Sequence, residues 1–197
     1  SPAVAVGPGE GPLLALDLSL PGNGYQPDVL RRLTIVNRGS ALPTDLSQVA
    51  LWRDGGNGVF DAGLGDDRWA ANLAGSDSMW FTPVLNEPLA SEAHRMYVSV
   101  TVAASPVDDR TVQFALPVLG VENSSANDGP TDLSIPSGGS LTITSSPLVT
   151  NLTVTPASVL GGGFELRLVA RNSGADTLVF VAPGAVALSG SGLASLL

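Results

Sequence analysis

The sequence predicts an all-β protein, an Ig-like antiparallel β-sandwich, and two observations lead to this prediction. Apolar residues alternate with polar ones at a period of two, as between Met96 and Val102, where every second residue is apolar. This alternation is typical of half-buried strands in antiparallel sheets. Clusters rich in Gly, Pro, Asn, Asp and Ser, such as 21–24 and 127–130, separate these runs. Short strands divided by turns, without a helix of more than about two turns, indicate a sandwich.

Nine runs carry the strand pattern, and turn clusters lie between several of them. In chain order they are 13–20, 30–36, 49–52, 96–102, 111–116, 141–144, 152–155, 164–170 and 177–181.

The composition excludes several classes of protein. The 197 residues include nine basic residues, all of them Arg, against eighteen acidic ones, and the net charge is −9. Phosphate repels an acidic chain that has no basic cluster, so we expect no nucleic-acid partner. The absence of Cys and the presence of one His exclude disulfides, thiolate metal sites and multi-His metal sites. No uninterrupted apolar run reaches the roughly 18 residues of a membrane span.

An internal repeat predicts how the chain is organised. Three segments recur in the same order at offsets of 135 to 137 residues: 16–19 as 152–155, 33–40 as 168–175, and 49–51 as 186–188. Repetition of this kind indicates a duplicated unit. The alternative is that any two β-hairpins with an Asn-x-Gly turn look alike.

The repeat divides the chain into an N-terminal extension (1–12), a β-sandwich domain (13–147) and an incomplete second β-sandwich unit (148–197). Two or three strands alone would expose an apolar face and an unpaired edge. We therefore expect the missing strands to come from adjacent repeats of a longer chain or from another copy of the chain by strand addition. The remaining alternative is that 148–197 packs back on the first unit as one larger sandwich.

A glycine-rich acidic stretch, 51–67, is the densest polar constellation in the chain. Its candidate metal ligands are Asp54, Asn57, Asp61, Asp66 and Asp67. Ca²⁺ takes six to eight such oxygens in a flexible arrangement, so the stretch predicts a Ca²⁺ site. The EF-hand pattern is not met, because Arg53, Gly55 and Leu64 occupy its ligand positions. The alternative is a metal-free loop in which Asp54 and Asn57 make turn hydrogen bonds.

The same stretch carries a family resemblance. The order Leu-Trp-Arg-Asp, then Gly-Asn-Gly-Val-Phe-Asp and a later Asp-Asp, resembles the Ig-like β-sandwich repeats of large secreted bacterial surface proteins. Residues 168–174 are similar to the strand-turn-strand of CARDB-type adhesion modules. The resemblance spans about 15–180 and implies an extracellular or cell-surface, repeated, non-catalytic module, sometimes stiffened by Ca²⁺. A structural or assembly module of a surface protein or filament is therefore the function that we expect.

Catalysis is not expected from this sequence. A Ser-His-Asp triad would have to use His94, the only histidine, and no Gly-x-Ser-x-Gly elbow is present. Paired carboxylates for glycoside hydrolysis would come from residues whose spacing selects no pair: Asp66, Asp67, Glu87 and Glu92.

The alternative function is a carbohydrate- or ligand-binding module with a surface glycan as partner. Aromatic rings stack on the apolar faces of sugars. The rings that would form such a platform are Trp52, Trp69, Trp80, Phe81 and Tyr97, although a sandwich with 5% aromatic residues also needs rings in its core.

Overall fold

The computed structural model confirms the all-β sandwich. It describes residues 4–22, 24–62, 66–145, 148–155 and 165–172, and it describes side chains up to Ser145. About half of the chain is in strands, and the only helical element among the described residues is a 3-10 turn at Pro43–Asp45. The strands are β1 Val4–Val6, β2 Leu13–Leu20, β3 Asp28–Asn37, β4 Leu46–Arg53, β5 Arg68–Asn72, β6 Ala74–Ser76, β7 Met79–Phe81, β8 Glu87–Leu89, β9 His94–Val102, β10 Thr111–Val112, β11 Phe114–Leu116, β12 Val121–Asn123, β13 Ile135–Pro136, β14 Leu141–Ile143, β15 Leu148–Thr155 and β16 Glu165–Asn172.

Two large sheets are formed by the first 145 residues. The smaller is antiparallel and has the order β2-β9-β4-β5. The larger follows the path β13-β11-β3-β7-β6, and its long strand β3 also pairs with β12 and β8. A third sheet, β1-β14-β10, contains three short strands.

The core is built from residues on the facing sides of these sheets. Leu51 and Val98 in the smaller sheet are fully buried, as are Leu33 and Ile35 in β3. They belong to one apolar cluster, so burial of the apolar face of each strand holds the sheets together.

One side of the sandwich is closed by the chain itself. β5 ends the smaller sheet and β6 ends the larger one, and the single buried residue Leu73 joins them. The N–H of Leu73 donates to the carbonyl of Val49 at 2.8 Å. On the opposite side the outermost strands are β2 and β13.

Two differences from the sequence prediction involve strands of the third sheet. Val4–Val6, inside the expected N-terminal extension, is a strand that pairs in parallel with β14, and Val6 is buried. The expected single strand 111–116 is divided into β10 and β11, which pair in different sheets. The division falls at Gln113, whose N–H donates to Oδ1 of the buried Asn37 at 2.8 Å.

β15 and β16 form an antiparallel pair over eight residues each, from Leu148 opposite Asn172 to Thr155 opposite Glu165. Among the described strands they pair only with each other. Their sequence counterparts β2 and β3 lie in different sheets and do not pair with each other. The proposed repeat and the domain boundaries stay predictions, and the predicted strand 177–181 and the repeat segment 186–188 lie outside the described residues.

Candidate functional site

The connection between β4 and β5, residues 54–67, is called the acidic loop below. Oδ1 of Asp54 accepts the backbone N–H groups of Gly56 and Gly58, both at 3.1 Å. Oδ1 of Asn57 accepts the N–H of Val59 at 2.8 Å. These are turn hydrogen bonds of Asx type, in which a short side chain replaces a backbone acceptor. The first half of the loop is therefore held by its own side chains.

Asp67 closes the acidic loop. Its Oδ1 accepts the N–H of Gly55 at 3.1 Å and its Oδ2 accepts the N–H of Asp61 at 2.9 Å. The ends of the loop approach so closely that a Cβ added to Gly55 would lie 2.1 Å from Cβ of Asp66. Two non-bonded carbon atoms cannot lie this close, so only glycine fits at position 55 without a shift of the backbone.

The five predicted Ca²⁺ ligands all lie in this loop, but they differ in exposure and in hydrogen bonding. Asn57 Nδ2 donates to Oδ2 of Asp61 at 3.0 Å, and Asp67 binds the backbone of Asp61. Asp66 is exposed. Oδ1 of Asp61 is enclosed and has no hydrogen-bond donor among the described residues.

This arrangement fits Ca²⁺ only in part. Within the described part of the chain, no three Asp, Glu or His side chains are placed to hold one metal ion. Several of the candidate oxygens already accept N–H groups, so Ca²⁺ would have to share these oxygens with backbone donors. The enclosed oxygen of Asp61 is the one atom that favours a cation.

Aromatic rings anchor the loop to the outer face of the smaller sheet. Phe60 packs edge-to-face on Trp52 at 6.0 Å and on Tyr97 at 5.5 Å between ring centroids. Nε1 of Trp52 donates to Oγ of Ser99 at 2.8 Å. Tyr97 and Ser99 lie on the alternate face of β9, yet both are buried. A polar loop thus covers a face that the sequence pattern assigns to solvent.

Charged and polar groups surround the buried ring of Tyr97. Arg95 lies over this ring at 5.5 Å from the centroid and binds both carboxylate oxygens of Asp17, at 2.9 and 2.5 Å. Burial raises the pKa of Tyr97, and the negative charge of Asp54 raises it further. The hydroxyl of Tyr97 is enclosed and has no hydrogen-bond partner in the described part of the chain.

The five aromatic residues considered for sugar stacking do not form one platform. Trp80 is only 2% exposed and packs against Phe114 in the core, at 5.4 Å between centroids. Trp69 is 51% exposed, whereas Phe81 lies on the other sheet. Trp69 is therefore the only Trp side chain among these residues that offers a large exposed surface.

The sequence pattern did not indicate an ion-pair cluster around the buried Glu87, the first residue of β8. Glu87 is 8% exposed and accepts bonds from Arg53, at 3.2 Å, and from Arg68. Burial lowers the pKa of the neighbouring His94, as does the positive charge of Arg53, against an opposing effect of Glu87. Nε2 of His94 accepts the backbone N–H of Ala90. The carboxylate of Glu87 is neutralised by Arg53 and Arg68, which favours a structural role for Glu87.

The side of the sandwich opposite Leu73 contains two cavities, each of about 220 Å³. The first lies beside 14–17 of β2 and is closed by Val112 and 137–141. The second lies beside 19–21 and is closed by Leu116, Val121 and Ile135 among others. This strip along β2, with its two cavities, is called the β2 seam below.

Comparisons with protein family models, curated proteins and solved structures found no match to this chain. No helix in the described ranges is long and apolar enough to cross a membrane.

Proposed function

We propose that this chain is a non-catalytic structural module of an extracellular bacterial surface protein or filament, and that it joins neighbouring units by strand pairing. The observation that carries the proposal is the β15–β16 pair, two eight-residue strands that pair only with each other among the described strands. An isolated two-stranded sheet is marginally stable in water, and its open edges favour further pairing.

The composition of the chain supports an assembly role. Charged residues make up 14% of the sequence and hydrophobic residues 44%. Interfaces between subunits are depleted in charge at their centres, because each buried charge must lose its water. A surface with few charges therefore favours close contact between units. The resemblance to CARDB-type modules supports the extracellular location.

Ca²⁺ belongs to this proposal as a stiffening ion of the acidic loop. The enclosed Oδ1 of Asp61 supports it, since a buried carboxylate oxygen without a donor is costly unless a cation or a hydrogen bond compensates it. Asp54, Asn57 and Asp67 would supply further oxygens, since each oxygen can accept a backbone N–H and contact a cation at the same time.

The oligomeric state of the purified 197-residue chain tests the proposal. Light scattering or sedimentation at micromolar concentration should give a mass at least twice the 20.0 kDa of one chain. Negative-stain imaging should show end-to-end association. A uniform population of 20.0 kDa particles would contradict the assembly role.

A glycan-binding module is the second candidate, and the half-exposed ring of Trp69 is the observation that favours it. A glycan array distinguishes the two functions. Binding that is lost on Trp69→Ala would support the module, whereas an absence of binding to every glycan would leave the structural role as the better explanation.

A further inference from the structure

The β2 seam has the geometry of a strand acceptor. β2 is eight residues long and ends its sheet, and among the described strands it pairs on one side only, with β9. Such an edge presents backbone N–H and C=O groups to an incoming strand. The two cavities lie between β2 and strands of the other sheets, where every second side chain of an added strand would enter the sandwich.

The spacing of the cavities specifies the occupant. Their midpoints along β2 are about four and a half residues apart, which is about 15 Å at 3.3 Å per residue. An occupant should therefore carry apolar residues at positions i and i+4 of a strand, about 13 Å apart.

Strand β15 has this pattern. Leu148 and Leu152 are four positions apart, and Val154 shares their face by alternation. β15 contains no charged residue, so its entry between the sheets would require no desolvation of a charge. One of its edges is paired with β16 and the other has no partner among the described strands.

The distribution of charge favours contact between this hairpin and the sandwich. Seven Arg and sixteen acidic residues lie before position 148, which gives a net charge of −9. β15 and β16 together contain two Arg and one Glu, a net charge of +1. Two sandwiches therefore repel each other, whereas a hairpin and a sandwich attract.

We infer that the β2 seam accepts strand β15 from a second copy of this chain, an inference that rests on the proposed assembly function. The smaller sheet then extends to the order β16-β15-β2-β9-β4-β5 across the two copies. Leu148 and Leu152 of the donor occupy the two cavities. The contact is heterologous, because the donating and accepting surfaces differ, and it repeats from copy to copy unless two copies exchange hairpins.

Full-length variants and sedimentation velocity test this inference. Leu152→Asp alters the donor strand, and Ser19→Trp fills the second cavity from the exposed edge of the acceptor. Each variant alone should sediment at 20.0 kDa, while the unaltered chain sediments at twice that mass or more. An equimolar mixture of the two variants should recover a dimer and nothing larger, since one variant retains the seam and the other retains the hairpin.

Matched controls separate this contact from general effects. Thr153→Asp places the same charge on the other face of β15, and Ser76→Trp places the same ring on β6, at the closed side of the sandwich. Both should assemble as the unaltered chain does. Near-ultraviolet circular dichroism checks that each variant is folded, and Leu14→Lys, at the exposed wall of the first cavity, replaces Ser19→Trp if that variant unfolds.

The possible failures are distinguishable. One outcome is that the unaltered chain assembles and that neither Leu152→Asp nor the acceptor variant, Ser19→Trp or Leu14→Lys, lowers the mass of the assembly. The seam is then not the acceptor, and the assembly function stands. If the variants become monomeric but their mixture does not recover a dimer, β15 is not the occupant. If the unaltered chain is a monomer, both the assembly function and this inference are overturned.

Discussion

The N–H of Gly55 donates to Oδ1 of Asp67 at 3.1 Å and closes the acidic loop at the point where its two ends come closest. Because a Cβ at position 55 would lie 2.1 Å from Cβ of Asp66, Gly55→Ala should separate the ends. We expect a loss of about 1–3 kcal/mol in the free energy of unfolding, the usual cost of overpacking. Chemical denaturation measures it. Gly138→Ala is the control, since nothing lies within 4 Å of its added Cβ, and an equal loss in both variants would contradict the role of Gly55.

Ca²⁺ should raise the melting temperature of the chain, because a cation beside Oδ1 of Asp61 compensates an enclosed oxygen that has no donor. Asp61→Ala should abolish this increase. Differential scanning calorimetry with Ca²⁺ or with a chelator measures both effects. The exposed Asp132 provides the control Asp132→Ala, which should retain the full increase. Identical melting with Ca²⁺ and chelator in the unaltered chain would reject the metal site.

Substitutions at Tyr97 and Ser99, two positions on the same face of β9, should change the free energy of unfolding in opposite directions. Tyr97→Phe removes an enclosed hydroxyl that has no partner and should stabilise the chain by about 1 kcal/mol. Ser99→Ala removes the acceptor of the part-buried Trp52 Nε1–H and should lower the free energy of unfolding by about 1 kcal/mol. Urea unfolding curves measure the free energy of unfolding of both variants. Destabilisation by Tyr97→Phe would show that the Tyr97 hydroxyl forms a hydrogen bond in solution.

Asp28 should make stability depend on pH in the acid range. Hydrogen bonds from the hydroxyls of Ser124 and Ser125, in that order, lower the pKa of Asp28 to about 2 from 3.8. Its contribution is fully present above pH 3.8 and is lost as the pH falls towards 2, since the unfolded chain takes up the proton first. Carboxyl NMR titration should show the low pKa, and Ser124→Ala should raise it. An unchanged titration in Ser124→Ala would contradict this cause.

Substitution of Trp80 and of Trp69 should have different effects on the free energy of unfolding, because one ring is in the core and the other is at the surface. Trp80→Ala should cost about 3–5 kcal/mol, because it removes a buried ring that packs on Phe114. Trp69→Ala should change the free energy of unfolding by less than about 1 kcal/mol, since half of the ring is already in water. Thermal unfolding followed by circular dichroism compares them, and a similar loss for both would show that Trp69 is part of the folding core.

The sequence predicted the long strands well, because their burial pattern is periodic. The predicted 13–20 coincides with β2, and Met96–Val102 lies within β9 with its apolar residues buried. The four short strands between 68 and 89 were not predicted. β6, for example, is three exposed residues, Ala74–Ser76, whose strand geometry comes from pairing with β7 and not from an apolar face.

The acidic loop was located from its residue types, but its internal bonds were only partly predictable. The turn bonds of Asp54 and Asn57 are local in sequence, so the pattern of Asx and Gly residues indicates them. The contact of Glu87 with Arg53 and Arg68 joins separate strands, and no local pattern signals it. The anchoring of Phe60 on Tyr97 likewise depends on how the loop folds over the sheet.

The corner at Leu73 has a consequence for any row of these modules. It joins the two layers at edge strands of five and three residues, whereas on the opposite side the smaller sheet ends in an eight-residue strand that is paired on one side only among the described strands. If units join through the β2 seam, strands can be added to the smaller sheet of each molecule only at its β2 edge. The resulting row would have a direction, with chemically distinct ends, and a capping molecule specific for one end would control its length.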